Sequence, residues 1–448
     1  MTDLPNSPEL LSDLLEKAKA RGADAADAVF ARSDAISHAQ RMGAVEKLER
    51  SEERDLGLRV IIGKQQAVVS SNDLTPDKLD ELVDRAIAMA RTVPEDPYCG
   101  LANPDQLFQG PVPDLGICDE AEPPAEALIE RARACEEAAL AVEGVTNSEG
   151  AEADWSRWDI ALAGSNGFVG EYSGSRHSVG ASVLAGEGTG MESDYEYSSV
   201  VFGEDLEDPV AVGRTAGERS VARLNPRKAP TAKVPVVFDP RVAGGLARHL
   251  AGAINGSAIA RGTSFLKDSM GQQVLSKGIS LVDDPHRPRG LGSKPFDAEG
   301  LVNQERRLVD DGTLASWVLD LRTGRQLGLA STGNASRGTS APPSPSTTNL
   351  YLTAGELDPE ALIADIDSGF YVTSLMGMGI NLVTGDYSRG ASGFWIENGA
   401  KAYPVSEMTI AGNLRDIYLN LTTANDLEFK YATNAPTLRI EGMTVAGT

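Results

Sequence analysis

The chain has 448 residues, with 41 Lys and Arg against 65 Asp and Glu, a formal charge of −24 with histidine neutral. Hydrophobic residues make up 41% and charged residues 24%, ordinary for a globular chain, which excludes wholesale disorder. The acidic balance argues against nucleic acid and anionic lipid as partners, because both need Lys and Arg to displace counterions.

Three cysteines, Cys99, Cys118 and Cys135, form no C-x-x-C pair and read as thiols of a reducing compartment. The opening stretch, Met1 to Lys17, lacks a basic segment followed by an apolar core. No apolar run nears the ~18–20 residues that a membrane span needs. A soluble, cytoplasmic protein is expected.

The first element is a helix, with Ser7 as its cap, Pro8 at its first position, Leu10, Leu11, Leu14, Leu15 and Ala18 on one face, and Gly22 to end it. Short β-prone runs follow at Ala28–Ala31, Ala44–Leu48, Leu56–Ile62 and Gln66–Val69, with Gly63 and Lys64 as a tight turn. Thr75 and Pro76 open a second helix, carrying Leu79, Leu82, Val83, Ala86, Ile87 and Ala90 at helical spacing. Pro94 to Pro124 holds seven prolines and reads as a long ordered loop before a third helix over Ala125–Val142. Strands are expected at Asp159–Leu162, Val169–Tyr172 and Val179–Leu184. The proline-rich stretch Asn225–Pro235 marks a domain boundary. Beyond it come a strand at Val234–Phe238 and a helix capped by Asp239, with Val242, Leu246, Leu250 and Ile254 at fourfold spacing. The rest is strand-rich, with one further helix over Pro359–Asp367. The expected fold is α+β: an N-terminal domain (1–225) of helices on a mostly antiparallel sheet, and a strand-rich C-terminal domain (226–448) with few helices.

Chemistry is sparse. None of His38, His177, His249 and His286 stands in H-x-H, H-x-x-x-H or H-E-x-x-H spacing, so no local zinc site is visible. Asp283-Asp284-Pro285-His286 is the nearest thing to a ligand cluster, and a solvated turn is the plainer reading. No serine has Gly at both −2 and +2, so a nucleophile elbow is missing. The stretches Gly186 to Gly190 and Gly377 to Gly379 have neither the Lys of a phosphate loop nor a following amphipathic helix, and read as turns or close-packed strands.

Three stretches nevertheless carry a resemblance. They are Met378-Gly-Ile-Asn-Leu-Val-Thr-Gly-Asp-Tyr-Ser-Arg-Gly-Ala-Ser-Gly-Phe-Trp395 with Tyr403 to Asn413, Arg261-Gly-Thr-Ser264, and Thr332-Gly-Asn334 with Thr348-Asn-Leu-Tyr351. With Leu56-Gly-Leu-Arg-Val60, they resemble the TldD/PmbA family over nearly the whole chain. The wording Gly385-Asp-Tyr-Ser-Arg-Gly390 and Glu397-Asn-Gly399 is similar to the PmbA/TldE branch.

The resemblance implies a two-component cytoplasmic metallopeptidase. TldD-type subunits hold zinc through an H-E-x-x-x-H helix and a C-terminal cysteine, and PmbA/TldE-type subunits pair with them around a chamber for unfolded peptides. Carried over residue by residue, the hexapeptide is Ala247-Arg-His-Leu-Ala-Gly252. The ligand positions hold Ala247 and Gly252, the base position holds Arg248, and no cysteine follows Cys135. Methyl groups and hydrogens cannot bind zinc, and an arginine cannot act as a carboxylate base. The expectation is a subunit with no catalytic and no metal-binding residues of its own, with no cofactor in this chain and zinc in a TldD-type partner. Thr332, Gly333, Asn334, Thr348 and Asn349 are candidates to line the peptide path, as a loop and strand edge beside an extended chain. The isolated chain is expected to form a homodimer that exchanges into a heterodimer. Two other readings stand beside this one: a metallopeptidase with ligands the sequence does not advertise, and a homodimeric protein that holds unfolded peptides without cutting them.

Overall fold

The computed structural model describes residues 7–447. The first half of the chain supplies α1 (Ser7–Ala20), β1 (Ala25–Arg41), β2 (Ala44–Ile62), β3 (Gln65–Ser71), α2 (Pro76–Ala90), α3 (Ala125–Leu140), β4 (Val145–Gly164), β5 (Val169–Ala185), β6 (Glu192–Val200) and α4 (Pro209–Ala222). The six strands form one sheet in the order β3-β2-β1-β4-β5-β6, with every neighbouring pair antiparallel.

Side chains alternate across this sheet, and the alternation decides what covers it. Ala26, Ala28 and Phe30 of β1 pack under Leu11, Leu14, Leu82 and Val83 of α1 and α2. Ile36, further along the same face, packs with Leu128 and Ala132 of α3 and Val212 and Ala216 of α4. All four helices therefore lie on one face. Val29 and Leu162 point the other way and meet Phe296, Leu301 and Leu321 from the second half.

The short runs Ala28–Ala31, Ala44–Leu48 and Leu56–Ile62 are parts of two strands of 17 and 19 residues. The polar stretch Glu46–Glu53 stays in β2 although it is exposed, because it is paired to β1 along its length. Met42 and Gly43 close the hairpin with φ of 51° and 75°, the backbone of the turn that matches strand twist.

The second half runs β7 (Ala232–Phe238), α5 (Pro240–Ala253), α6 (Gly256–Ala260), β8 (Leu281–Asp283), β9 (Arg306–Asp310), β10 (Thr313–Leu314), α7 (Leu321–Leu327), β11 (Ala335–Ser336), β12 (Ser344–Pro345) and β13 (Leu350–Leu352). It continues with α8 (Pro359–Ile363), β14 (Ser368–Ile380), β15 (Asp386–Glu397), β16 (Ala400–Asn413), α9 (Leu414–Leu419), β17 (Leu421–Thr423), β18 (Thr433–Asn434) and β19 (Leu438–Ala446). Its main sheet has the order β16-β15-β14-β7-β19-β17, and β16 also pairs with β19, so five strands close on themselves. A smaller sheet, β10-β9-β8-β13-β18, shares the largest apolar core with it and with α5. The architecture is α+β. The helix expected over Pro359–Asp367 stops at Ile363, because Ile366 turns inward and the strand begins at Ser368.

The halves are joined by a buried charge group. Asp27 accepts from Arg59 Nε at 3.0 Å and from Arg337 Nη1 at 2.5 Å. Burial alone would push the Asp27 carboxyl up, but the two guanidiniums outweigh it and hold it below its usual value. Backbone fit is equally close at this joint: a Cβ on Gly57 would lie 2.1 Å from the Thr339 carbonyl oxygen. No described helix is long and apolar enough to cross a membrane.

Candidate functional site

The helix that the sequence aligns with a metal-binding helix is α5. It starts where Pro240 follows Asp239, whose carboxylate accepts from Arg241 N at 3.1 Å. Ala243, Leu246, Ala247, Leu250 and Ala253 face the core. Gly245, Arg248, His249 and Gly252 form the other stripe.

Ala247 is 1% exposed, so its methyl group is sealed in the core. Gly252 faces Leu382 of the β14–β15 connection, and a Cβ there would lie 3.2 Å from a Leu382 methyl. Arg248 is exposed between them. The ring of His249 meets Tyr387 edge-on at 6.2 Å between centroids. Burial, then Arg389, then Arg248 lower its pKa to about 4, so it is neutral at pH 7. Arg389 is held across the hairpin by its Nε bond to the Met376 carbonyl at 3.0 Å.

Around this stripe the recognised motifs converge. Phe265 N, just after Arg261–Ser264, donates to the Leu382 carbonyl at 2.8 Å. Ser264 Oγ bonds the Ala253 carbonyl at 2.5 Å, at the end of α5. The β14–β15 connection is set by Asn381, whose Oδ1 accepts from Val383 N at 2.9 Å. Gly379 has to be glycine, because a Cβ would lie 2.0 Å from the Ser388 carbonyl oxygen. This hairpin leaves Met376, Met378 and Val383 exposed, Met378 at 90%.

The residues here do not fit a zinc ion. Two imidazoles and a thiolate would be needed, and the stripe offers one neutral imidazole between two guanidiniums. Among the described residues, no group of three or more His, Cys, Asp or Glu side chains is placed to hold a metal ion. Cys99 and Cys135 are buried and Cys118 half-buried, all in the first half.

The five candidate peptide-path residues lie in one corner of the fold, where two of them, Asn334 and Thr348, bind a buried carboxylate. Asp283 Oδ1 accepts from Thr348 N at 2.6 Å and Thr348 Oγ1 at 2.8 Å, and Oδ2 from Asn334 Nδ2 at 2.7 Å. Thr332 Oγ1 bonds Asn334 Oδ1 at 2.8 Å. Asn349 Nδ2 bonds the Asp284 carbonyl at 2.7 Å, and a Cβ on Gly333 would lie 2.4 Å from the Val302 carbonyl oxygen. These side chains hold a corner of the fold together, with Asn349 at 1% exposure and Asn334 at 5%. Asp283 itself corrects the sequence reading of a solvated turn: it ends a buried strand, and burial raises its carboxyl. His286 is tied by Nε2 to Asn303 Oδ1 at 2.8 Å. Gly186–Gly190 lies in a turn and short helical turn between β5 and β6, and Gly377 at a bulge of β14.

The sequence reading missed Arg389 as a neighbour of α5 and the Asp27–Arg59–Arg337 group. Neither has a sequence signal, since each pair is brought together from more than a hundred residues apart or across strand register.

Comparison with known proteins supplies the class. Three domain models of the PmbA/TldA metallopeptidases match in order: domain 1 over residues 26–90, the central domain over 118–224 and the C-terminal domain over 231–447. The chain is 38% identical over 442 residues to the metalloprotease PmbA of Escherichia coli O157:H7, covering 98% of this chain and 96% of that protein. A metalloprotease PmbA homolog of Haemophilus influenzae is 36% identical over 441 residues, 98% and 96% of the two chains. The fold matches the crystal structure of a candidate DNA gyrase modulator from Bacteroides thetaiotaomicron with a TM-score of 0.92 at 28% identity, covering 99% of this chain and all of that one. TldE from Thermococcus kodakarensis has the same fold, with a TM-score of 0.87 at 20% identity over 98% of this chain and all of that one. The chain belongs to the PmbA/TldD metallopeptidase family, on its PmbA/TldE side.

Proposed function

We propose that this chain is the metal-free, PmbA/TldE-type subunit of a two-component peptidase, acting in the cytoplasm on unfolded peptides with a zinc-bearing TldD-type partner. One observation carries the reading: α5 is fully formed and tightly packed, yet Ala247, Arg248 and Gly252 stand where ligands and a base would be. Loss of both ligand positions and of the base position from an intact helix fits a part that shapes a chamber and leaves the chemistry to another chain. The stripe Arg248, His249 and Arg389 gives permanent donors for peptide carbonyls or carboxylates, beside exposed methionines that accommodate varied side chains. Hydrolysis at zinc needs a polarised carbonyl, an activated water and a base, and this chain contributes none of the three. Its contribution is orientation of the peptide, with Arg248 in a minor part.

A second reading is favoured by the metalloprotease names of the PmbA relatives: that the chain cleaves peptides itself, with ligands recruited from outside α5. Elemental analysis of tag-free protein separates the two. The first reading expects no stoichiometric zinc, and about one zinc per chain would favour the second.

A further inference from the structure

On the sheet face away from the four helices, the two halves enclose a cavity of about 300 Å³, at the small end of the range of ~300–1,000 Å³ for ligand pockets. Its walls are mostly apolar. Val29, Ile160 and Leu162 come from the N-terminal sheet, and Phe296 from the second half.

One polar group in the wall is incompletely satisfied. The Lys294 ammonium carries three N–H donors, and its single protein acceptor among the described residues is the Ala335 carbonyl at 2.8 Å. The neighbouring carboxylate does not meet that need. Asp297 Oδ1 is held by the amides of Glu299 and Leu301, both at 2.9 Å, and Oδ2 by Ala335 N at 3.1 Å. Arg337, the other cation in the wall, is committed to Asp27. A half-buried ammonium with spare donors, in the wall of a mostly apolar space, calls for one acceptor group on an otherwise apolar molecule.

We propose that this cavity binds a small apolar carboxylate, its carboxylate on Lys294 and its alkyl or aryl body against Val29, Leu162 and Phe296. A phosphate dianion would need more than the one uncommitted cation, Lys294, in a wall that also carries the carboxylates of Asp55 and Asp297. The body of the ligand touches both halves, so its binding ties them together. The inference stands apart from the zinc-free reading, since no residue of α5 takes part.

The test is calorimetric titration of the full-length protein with 3-phenylpropionate, and with 3-phenylpropanamide as its uncharged analogue. Saturable one-to-one binding of the acid, at least about tenfold tighter than the amide, is expected, as one charge-assisted hydrogen bond supplies. Lys294→Met should reduce the acid to the level of the amide. Ala31→Trp, which fills the cavity from β1 and leaves Lys294 in place, should abolish binding of both, and serves also if Lys294→Met fails to fold. N-acetyl-leucine distinguishes the source: binding like the acid points to peptide C-termini, and its failure beside a bound phenylpropionate points to free carboxylic acids. No saturable binding of phenylpropionate, equal binding of acid and amide, or undiminished binding by Ala31→Trp would overturn the proposal.

Discussion

His249 shows how far surroundings can move one residue's chemistry. Its ring is half-buried near two guanidiniums, and its pKa falls from an ordinary 6.5 to about 4. The unfolded chain therefore binds a proton between those values that the folded chain refuses, so stability contributed by neutral His249 is complete above pH 6.5 and declines as pH falls toward 4. His249→Gln should flatten that part of the stability-against-pH curve, measured by urea unfolding from pH 4 to 7. The His249 Cε1 proton should stay unshifted above about pH 5 in an NMR titration. A midpoint near 6.5 would mean that the ring is neither buried nor crowded by Arg389 and Arg248. From sequence, the missing ligands Ala247, Arg248 and Gly252 were legible, because identity at a position needs no coordinates. The environment of His249 was not, because Arg389 is 140 residues away and reaches α5 only through the register of β14 on β15.

Helix α5 was legible as an element. Val242, Leu246 and Leu250 repeat at helical spacing, and Asp239-Pro240 is a strong start signal. What spacing could not reveal is that Ala247 is sealed in the core and that Gly252 sits against Leu382. The triple substitution Ala247→His, Arg248→Glu and Gly252→His should therefore fail to make a zinc site. An imidazole at 247 overfills the core, at a cost of about 1–3 kcal/mol, and one at 252 has to move the Leu382 side chain. Denaturant unfolding should show the loss, and zinc should not restore it. The strands were less legible than the helix. Only Ala44–Leu48 reads as β-prone there; Glu49–Asp55 has no apolar alternation, and its pairing with β1 keeps it extended. The corner formed by Thr332, Asn334, Thr348 and Asn349 shows the opposite limit. Polar residues in a motif can be the supports of a buried carboxylate, and sequence does not say which way they point.

At the scale of the whole molecule, the halves are held by Asp27 between Arg59 and Arg337. Asp27→Asn leaves two buried cations without their anionic partner, which should destabilise the fold by about 3–5 kcal/mol in urea unfolding. The same variant should loosen the cavity between the halves, seen as faster amide exchange in Val29 and Leu162. Such a joint was invisible in the sequence, where Asp27 and Arg337 are ordinary charged residues 310 positions apart. Association belongs to this scale as well. The isolated chain should be a homodimer by light scattering at micromolar concentration, and should exchange into a heterodimer when a TldD-type subunit is added. Arg248→Ala should lower the activity of that mixture by less than about tenfold, less than one 1.4 kcal/mol interaction. The most direct measurement is degradation of an unstructured peptide by this chain alone and by the chain mixed with a TldD-type subunit, each after chelation and zinc re-addition. No turnover by the chain alone and strong turnover by the mixture are expected. Zinc-dependent turnover by the isolated chain that survives further purification would contradict the metal-free reading.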